Sequence, residues 1–206
     1  TAYLTGMAVV KTCETLKKKI LHKAAKYLEC SEDELEFDGR RVYRVSCEED
    51  GSRKEITIKD IGNRIMCSNE DALQATESHS SPVSPPPFMA GAAEVEVDTE
   101  TGDVKLIRFV AAVDCGTPLN INLARVQTEG GLAQGIGMAL YEDVTYSDTG
   151  RVYENSFMQY KLPTRVDVGN IRVEFESSYE PTGPFGVKSI GEVVINTPSP
   201  AIAAAV

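Results

Sequence analysis

Between Asn120 and Leu140 the apolar residues Leu123, Val126, Ala133 and Leu140 recur at helical spacing, with Gly130 and Gly137 on the same stripe and Gly131 and Gly135 beside it. A glycine inside a helix costs about 1 kcal/mol relative to alanine. A helix that keeps this many must gain from the missing side chains: either another backbone packs close, or a ligand needs the space. The spacing predicts a helix over 120–140, capped by Asn120, with its glycine-bearing stripe turned toward a partner.

At 206 residues the chain is long enough for one large domain or two small ones. Val9, Cys13, Leu16, Ile20, Ala24 and Tyr27 or Leu28 form a stripe that predicts a helix over 8–28, with Lys17, Lys18 and Lys19 on its solvated side. Leu35 and Phe37, the pair Asp38-Gly39, Val42 and Val45, a second pair Asp50-Gly51 and the alternating Ile56-Thr57-Ile58 read as an antiparallel meander. A brief helix comes next, from Lys59 to Met66, and Thr76 to Pro87 has the composition of an extended crossing segment. The expected division is an α+β lobe over 1–78, helix plus β meander, and a second α+β lobe over 79–206 that carries the glycine-bearing helix. In the second lobe Ala93 to Asp98 alternate strictly, a Thr-Glu-Thr-Gly turn comes after them, and Leu106 to Cys115 is almost wholly apolar, which predicts a hairpin with a buried return strand. Ile171, Val173 and Phe175 alternate as a further strand, and Ala201 to Val206 looks like the opening of a helix. The fold class expected is α+β, two α/β lobes with antiparallel or mixed sheets and packed helices. With Thr1 in place of a methionine, the chain reads as a piece of something longer.

Composition narrows the partners. Lys+Arg 21 against Asp+Glu 31 gives a net charge of −10, which repels phosphate backbones and argues against nucleic acid. The longest apolar stretch falls short of the roughly 18–20 residues a membrane helix needs. The five cysteines are scattered without a Cys-x-x-Cys pair, and His22 and His79 are the only histidines, so neither a metal-ligand cluster nor an iron–sulfur site is expected from side chains. A reduced, cytoplasmic protein fits this usage.

Chemistry concentrates in 183–192. Gly183, Gly186 and Gly191 permit positive φ, in which successive N–H groups converge on an anion, and Lys188 and Ser189 add donors. It is not a nucleotide-hydrolysing loop, because Gly186-x4-Gly191 is followed by Glu192. Gly135-Ile136-Gly137 lacks the third glycine of a dinucleotide fingerprint, with Leu140 in its place. Glu192 stands between Gly191 and Val193-Val194-Ile195, flanks that would desolvate its carboxylate and suit a general base, an effect of about 10²–10⁴ in rate. The same residue also reads as a negative charge at a helix N-terminus. Gln127 and Gln134, seven residues apart with Gly131 between, would present two amides across a glycine floor, an arrangement that suits a heterocycle.

Asp114-Cys115-Gly116 with Asn120, then Gln127-Thr128-Glu129-Gly130-Gly131 with Gln134-Gly135-Ile136-Gly137, then Gly183-Pro184 and Gly186-Val187-Lys188-Ser189-Ile190-Gly191-Glu192 stand in one order and spacing. Together they resemble the C-terminal part of the large, molybdenum-binding subunit of the xanthine dehydrogenase and aldehyde oxidase family. The resemblance starts at Tyr3-Leu4-Thr5-Gly6-Met7-Ala8, covers nearly the whole chain, and is most specific over 91–206. It implies part of a molybdenum hydroxylase that oxidises a purine, xanthine or hypoxanthine, with water as oxygen source. Nicotinate-type or aldehyde oxidation within the family is the alternative. It also implies Glu192 as general base, Gln127 on the pterin, and Lys188, Ser189 and Gly191 toward the cofactor. The cofactor would be molybdenum–molybdopterin in its cytosine dinucleotide form, with the metal held by the pterin rather than by side chains. A 2Fe–2S cluster and FAD would sit on partner subunits or domains, alongside the remainder of the molybdenum subunit, in an oligomer. Family residues that orient substrate lie upstream, so this piece alone is expected to be inactive. The loop reads Gly186-Val187-Lys188-Ser189 where the family favours Gly-Ala-Lys-Gly, and Met89-Ala90-Gly91 lacks a polar or aromatic residue common there. From other classes, a non-catalytic interface domain and a simple anion-binding protein remain open on the residues alone, with Cys115 read as a small buried residue.

Overall fold

The computed structural model describes residues 2–48, 51–68 and 70–206. They form two compact units, Leu4–Ser80 and Ser81–Val206, the latter together with Ala2 and Tyr3. Thr1, and Asp50 of the second Asp-Gly pair, lie outside the described residues.

In the first unit α1 (Ala2–Leu28) begins earlier than its apolar stripe predicts. Ile20 and Ala24 are buried, with Leu16, Tyr27 and Leu28 packed beside them, whereas Val9 is 55% exposed and Cys13 is exposed. The stripe is therefore a core face only in its second half. β1 (Leu35–Phe37), β2 (Arg41–Arg44) and β3 (Glu55–Thr57) form an antiparallel sheet in which Val42 faces Phe37 on one side and Ile56 on the other. Gly39 turns the first hairpin at φ 94°, while Asp38 Oδ1 accepts the N–H groups of Arg40 and Arg41. Ile58, expected in the strand, opens a helix instead: the Thr57 hydroxyl accepts the Asp60 N–H and caps α2 (Ile58–Met66). Ile61 and Ile65 of α2 complete this core. Lys19, expected to be solvated, donates to the Gln74 carbonyl at 2.7 Å. Nearby, Lys23 at 2.5 Å and Lys26 at 2.6 Å donate to Glu70, and these hydrogen bonds hold its carboxyl down at about 2 against a usual 4.5. The irregular return segment is thus tied to α1 by polar contacts.

The second unit is built on a mixed sheet. β4 (Phe88–Val97) and β5 (Val104–Asp114) form an antiparallel hairpin, and β6 (Asn170–Phe175) lies parallel to β5. A parallel neighbour requires a crossover, and the β5–β6 connection carries α3 (Ile121–Leu140). Contrary to the expectation from its apolar composition, the return strand is not buried throughout. Leu106, Phe109, Ala111 and Val113 are buried, while Ile107 is 38% exposed and Ala112 lies open. Glu94 pairs with Arg108 and Val95 with Leu106, so Ile107 is the extra residue of a bulge. That insertion flips the alternation and lets both Leu106 and Phe109 face the core. Leu132 and Ile136 of α3, Val168, Val173, and Ile202 of α5 (Pro198–Ala205) close it.

The buried face of α3 differs from the predicted stripe. Leu123 and Val126 are each 67% exposed, whereas Thr128, Gly131, Leu132, Gly135, Ile136 and Gly137 are buried. Apolar residues surround this helix, so periodicity alone cannot choose a side, and the glycines choose it by proximity. A Cβ on Gly131 would overlap the Val194 side chain of α4 (Val193–Asn196), and one on Gly135 would lie 2.7 Å from Pro198 Cγ and 2.8 Å from the Ile195 carbonyl. Close packing therefore accounts for these two glycines, and the floor between Gln127 and Gln134 is covered by Val194. A Cβ on Gly130 would meet nothing within 4 Å outside its own helix backbone. Gly130→Ala is expected to raise stability by up to about 1 kcal/mol, and Gly131→Ala to lower it by about 1–2 kcal/mol because fully buried, branched Val194 cannot yield. Urea denaturation midpoints of the two variants check the opposite signs.

Among the described residues no helix is long and apolar enough to cross a membrane, and no group of His, Cys, Asp or Glu could hold a metal ion.

Candidate active site

The site is made where the end of β5 meets the 183–191 loop. Gly116, at φ 71°, bridges antiparallel to Val187. Thr117 N–H donates to the Gly186 carbonyl at 2.8 Å, Lys188 N–H to the Cys115 carbonyl at 2.7 Å, and the Thr117 hydroxyl to the Ser178 carbonyl at 3.1 Å. On the far side of the loop, Tyr3 reaches in from the start of α1, its hydroxyl 2.7 Å from the Thr182 hydroxyl and 2.9 Å from that of Ser81. Gly183 leaves room for the loop to fold back, since a Cβ there would overlap the Val187 carbonyl and lie 3.0 Å from the Tyr3 ring.

The loop is not the anion cradle that three flexible glycines predict. Gly186 has φ 85°, but Gly183 is extended at φ −96° and Gly191 is not among the positive-φ glycines; Phe185, at φ 55°, takes the left-handed position instead. The first N–H groups are used inside the chain, Gly186 to the Gly183 carbonyl and Val187 to that of Pro184. Among the described residues, the N–H groups of Ser189, Ile190 and Gly191 donate to no protein acceptor.

These three residues, with Lys188, Gln127, Asn120 and Cys115, line a cavity of about 410 Å³. The candidates Gln127, Lys188, Ser189 and Gly191, drawn from segments about sixty residues apart in the chain, therefore line one cavity. Gln134 does not line it. The Gln127 amide has no hydrogen-bond partner among the described residues. Cys115 is 2% exposed, and burial pushes its thiol up, as expected of a small packing residue.

Lys188 is already partnered within the protein. Its N–H serves Cys115, and its ammonium lies 2.7 Å from Asp114 Oδ2 and 5.4 Å from the centre of the Phe88 ring, with the side chain 11% exposed. No local signal gives Asp114 a role in the site, because its partners are Ser178 and Lys188, far along the chain. Burial alone would raise Asp114, but hydrogen bonds from Lys188, Ser178 and the Gly116 N–H, with the Lys188 charge, hold it below the usual carboxylate range.

Glu192 stands next to the cavity wall at Gly191 without lining the cavity. It precedes α4, yet its side chain makes no capping bond, and it is exposed where apolar flanks predict cover. The helix-charge reading is thus not realised through a cap, and the carboxylate has no protein partner among the described residues. A free amide at Gln127, a hydroxyl at Ser189 and three successive N–H groups suit a ligand rich in ring nitrogens and oxygens, as a pterin is.

Residues 1–169 match the family model of a molybdopterin cofactor-binding domain, a span that includes Gln127 and stops before the 183–191 loop. The chain is 32% identical, over 98% of its length and 21% of the relative's, to the Escherichia coli protein named "probable hypoxanthine oxidase". Reconstituted CO dehydrogenase from Oligotropha carboxidovorans superposes with a TM-score of 0.80 at 29% identity, over 97% of this chain and 25% of that one. Quinoline 2-oxidoreductase from Pseudomonas putida 86 gives 0.69 at 25% identity, over 93% of this chain and 25% of its own. The chain thus spans about a fifth to a quarter of the proteins it resembles.

Proposed function

This chain belongs to the molybdopterin cofactor-binding domain family, and on that premise we propose that it is the C-terminal part of the molybdenum-binding subunit of a purine-oxidising molybdenum hydroxylase. The observation that carries the reading is the gathering of Gln127, Ser189 and Gly191 around one cavity, with amide and N–H groups unused among the described residues. When bound, molybdenum–molybdopterin supplies two-electron oxidation of an electron-poor carbon, with oxygen taken from water. The Gln127 amide and the N–H groups of Ser189, Ile190 and Gly191 would hold it, in the cytosine dinucleotide form that the family resemblance implies. The carboxylate of Glu192 accepts a proton as general base, free to do so because no donor among the described residues occupies it. A 2Fe–2S cluster and FAD on partner subunits or domains of a cytoplasmic, oligomeric complex would carry the electrons onward. Because residues 1–206 span only about a fifth to a quarter of the relatives' length, no substrate turnover is expected from this stretch by itself.

Purine is favoured by the likeness to the protein named for hypoxanthine oxidation. Hydroxylation of a nicotinate-type nitrogen heterocycle is the second reading, favoured by the likeness to quinoline 2-oxidoreductase. The test is steady-state oxidation of hypoxanthine, xanthine, nicotinate and an aldehyde by the complete complex, with molybdenum quantified. Purine turnover is expected. Full molybdenum with turnover of nicotinate alone would replace the purine, and a complex assembled without molybdenum would leave an interface domain.

A further inference from the structure

We infer that Asp114 is a positioning residue for the site, a carboxylate that pins Lys188 and thereby places the donor run Ser189–Gly191 and the start of α4 at Glu192. The inference rests on the proposed function for its consequence in catalysis, and on geometry alone for the latch itself. Lys188 is held at both ends by adjacent residues of β5 and its extension: the ammonium by Asp114 Oδ2 at 2.7 Å, the N–H by the Cys115 carbonyl at 2.7 Å. The carboxylate is in turn oriented by the Ser178 hydroxyl at 2.6 Å and the Gly116 N–H at 2.9 Å, both on Oδ1. With side chains 11% and 20% exposed, the pair is shielded from the solvent that weakens surface ion pairs. Phe88 of β4 packs over the ammonium at 5.4 Å.

The residues just after Lys188 have no such support. Ser189 and Ile190 belong to no helix or strand, and the N–H groups of Ser189, Ile190 and Gly191 have no acceptor among the described residues. Their position is therefore set by Lys188 on one side and α4 on the other, with the Ile190 side chain packed against the core between them. Lys188 acts here as a neutralised strut, and Asp114, which does not line the cavity, acts through it.

The experiment uses the complete complex with Asp114→Asn, Lys188→Met and the double variant. Asn keeps an acceptor for Ser178 and Gly116, and Met keeps the apolar stem, so each loses the ion pair with little loss of volume. Two quantities are read: hydrogen exchange of the Lys188 and Thr117 amides, which donate across the latch to the Cys115 and Gly186 carbonyls, and purine turnover per molybdenum with its KM. Either single variant is expected to speed exchange at these two amides by about tenfold or more and to lower kcat per molybdenum by about 10- to 100-fold, with KM changed far less. The double variant is expected to be no worse than the more affected single one. Unchanged exchange at Lys188 and Thr117 would overturn the latch. Faster exchange with wild-type kcat per molybdenum would overturn the positioning role, leaving a stability contact. If the wild-type complex holds no molybdenum, the cofactor reading fails, and exchange alone then decides whether Asp114 anchors the loop.

Discussion

Glu192→Gln in the complete complex is expected to lower purine turnover per molybdenum by about two to four orders of magnitude while leaving molybdenum content at the wild-type level. Gln is nearly isosteric with Glu but cannot accept a proton as a carboxylate does, so the substitution separates proton transfer from packing. Glu192 is exposed, caps nothing and pairs with nothing among the described residues. Stability should therefore move by no more than about 0.5 kcal/mol, as for an ordinary surface change. The donors assigned to holding the cofactor, Gln127 and the N–H groups of 189–191, are all retained. Rates normalised to metal content check the prediction: near-wild-type turnover would remove the base role, and loss of molybdenum would make Glu192 a residue that holds the cofactor.

The second large effect belongs to Gly116→Ala, expected to destabilise the second lobe by about 3 kcal/mol and to lower molybdenum retention. Two physical effects add. An alanine at φ 71° suffers the left-handed backbone penalty of about 1–2 kcal/mol. Its Cβ would also overlap the Gly186 carbonyl and lie 2.8 Å from Lys188 N and 3.0 Å from Val187 C. These are backbone atoms of the opposing loop, which cannot rotate away, so overpacking costs about 1–3 kcal/mol more. Relief would part the loops that form the cavity wall, which is why cofactor retention should fall with stability. Gly102→Ala is the control, since Gly102 has φ 81° but nothing within 4 Å of a Cβ. It should show the backbone penalty alone in urea unfolding. Equal losses in the two variants would mean that the close approach at Gly116 carries no energy.

Much of this is legible in local pattern. The Asn120 side chain caps α3 as its position predicts, accepting from the Asn122 and Leu123 N–H groups. The β4–β5 hairpin and the meander of the first lobe arise from period-two alternation and tight polar turns. The grouping of Gln127, Ser189 and Gly191 is legible only through the resemblance, because no local rule joins residues that far apart. The departures are equally specific. The buried side of α3 escapes periodicity because its apolar residues encircle the helix, and the exposed positions of β5 escape composition because one bulge at Ile107 reverses its alternation. The glycines of 183–191 suggest freedom for a ligand, whereas Gly183 and Gly186 serve close contacts with Tyr3 and Tyr179.

The amino-acid sequence by itself determined the elements, their caps and turns, the acidic surface and the family to which the chain belongs, since all of these depend on residues within a few positions of one another or on motif order. The tertiary structure alone decided which face of α3 is buried, that Lys188 pairs with Asp114, and that Glu192 stands exposed. Those outcomes depend on contacts between distant segments of the chain, where packing and electrostatic pairing choose among arrangements that local propensity leaves equal in energy.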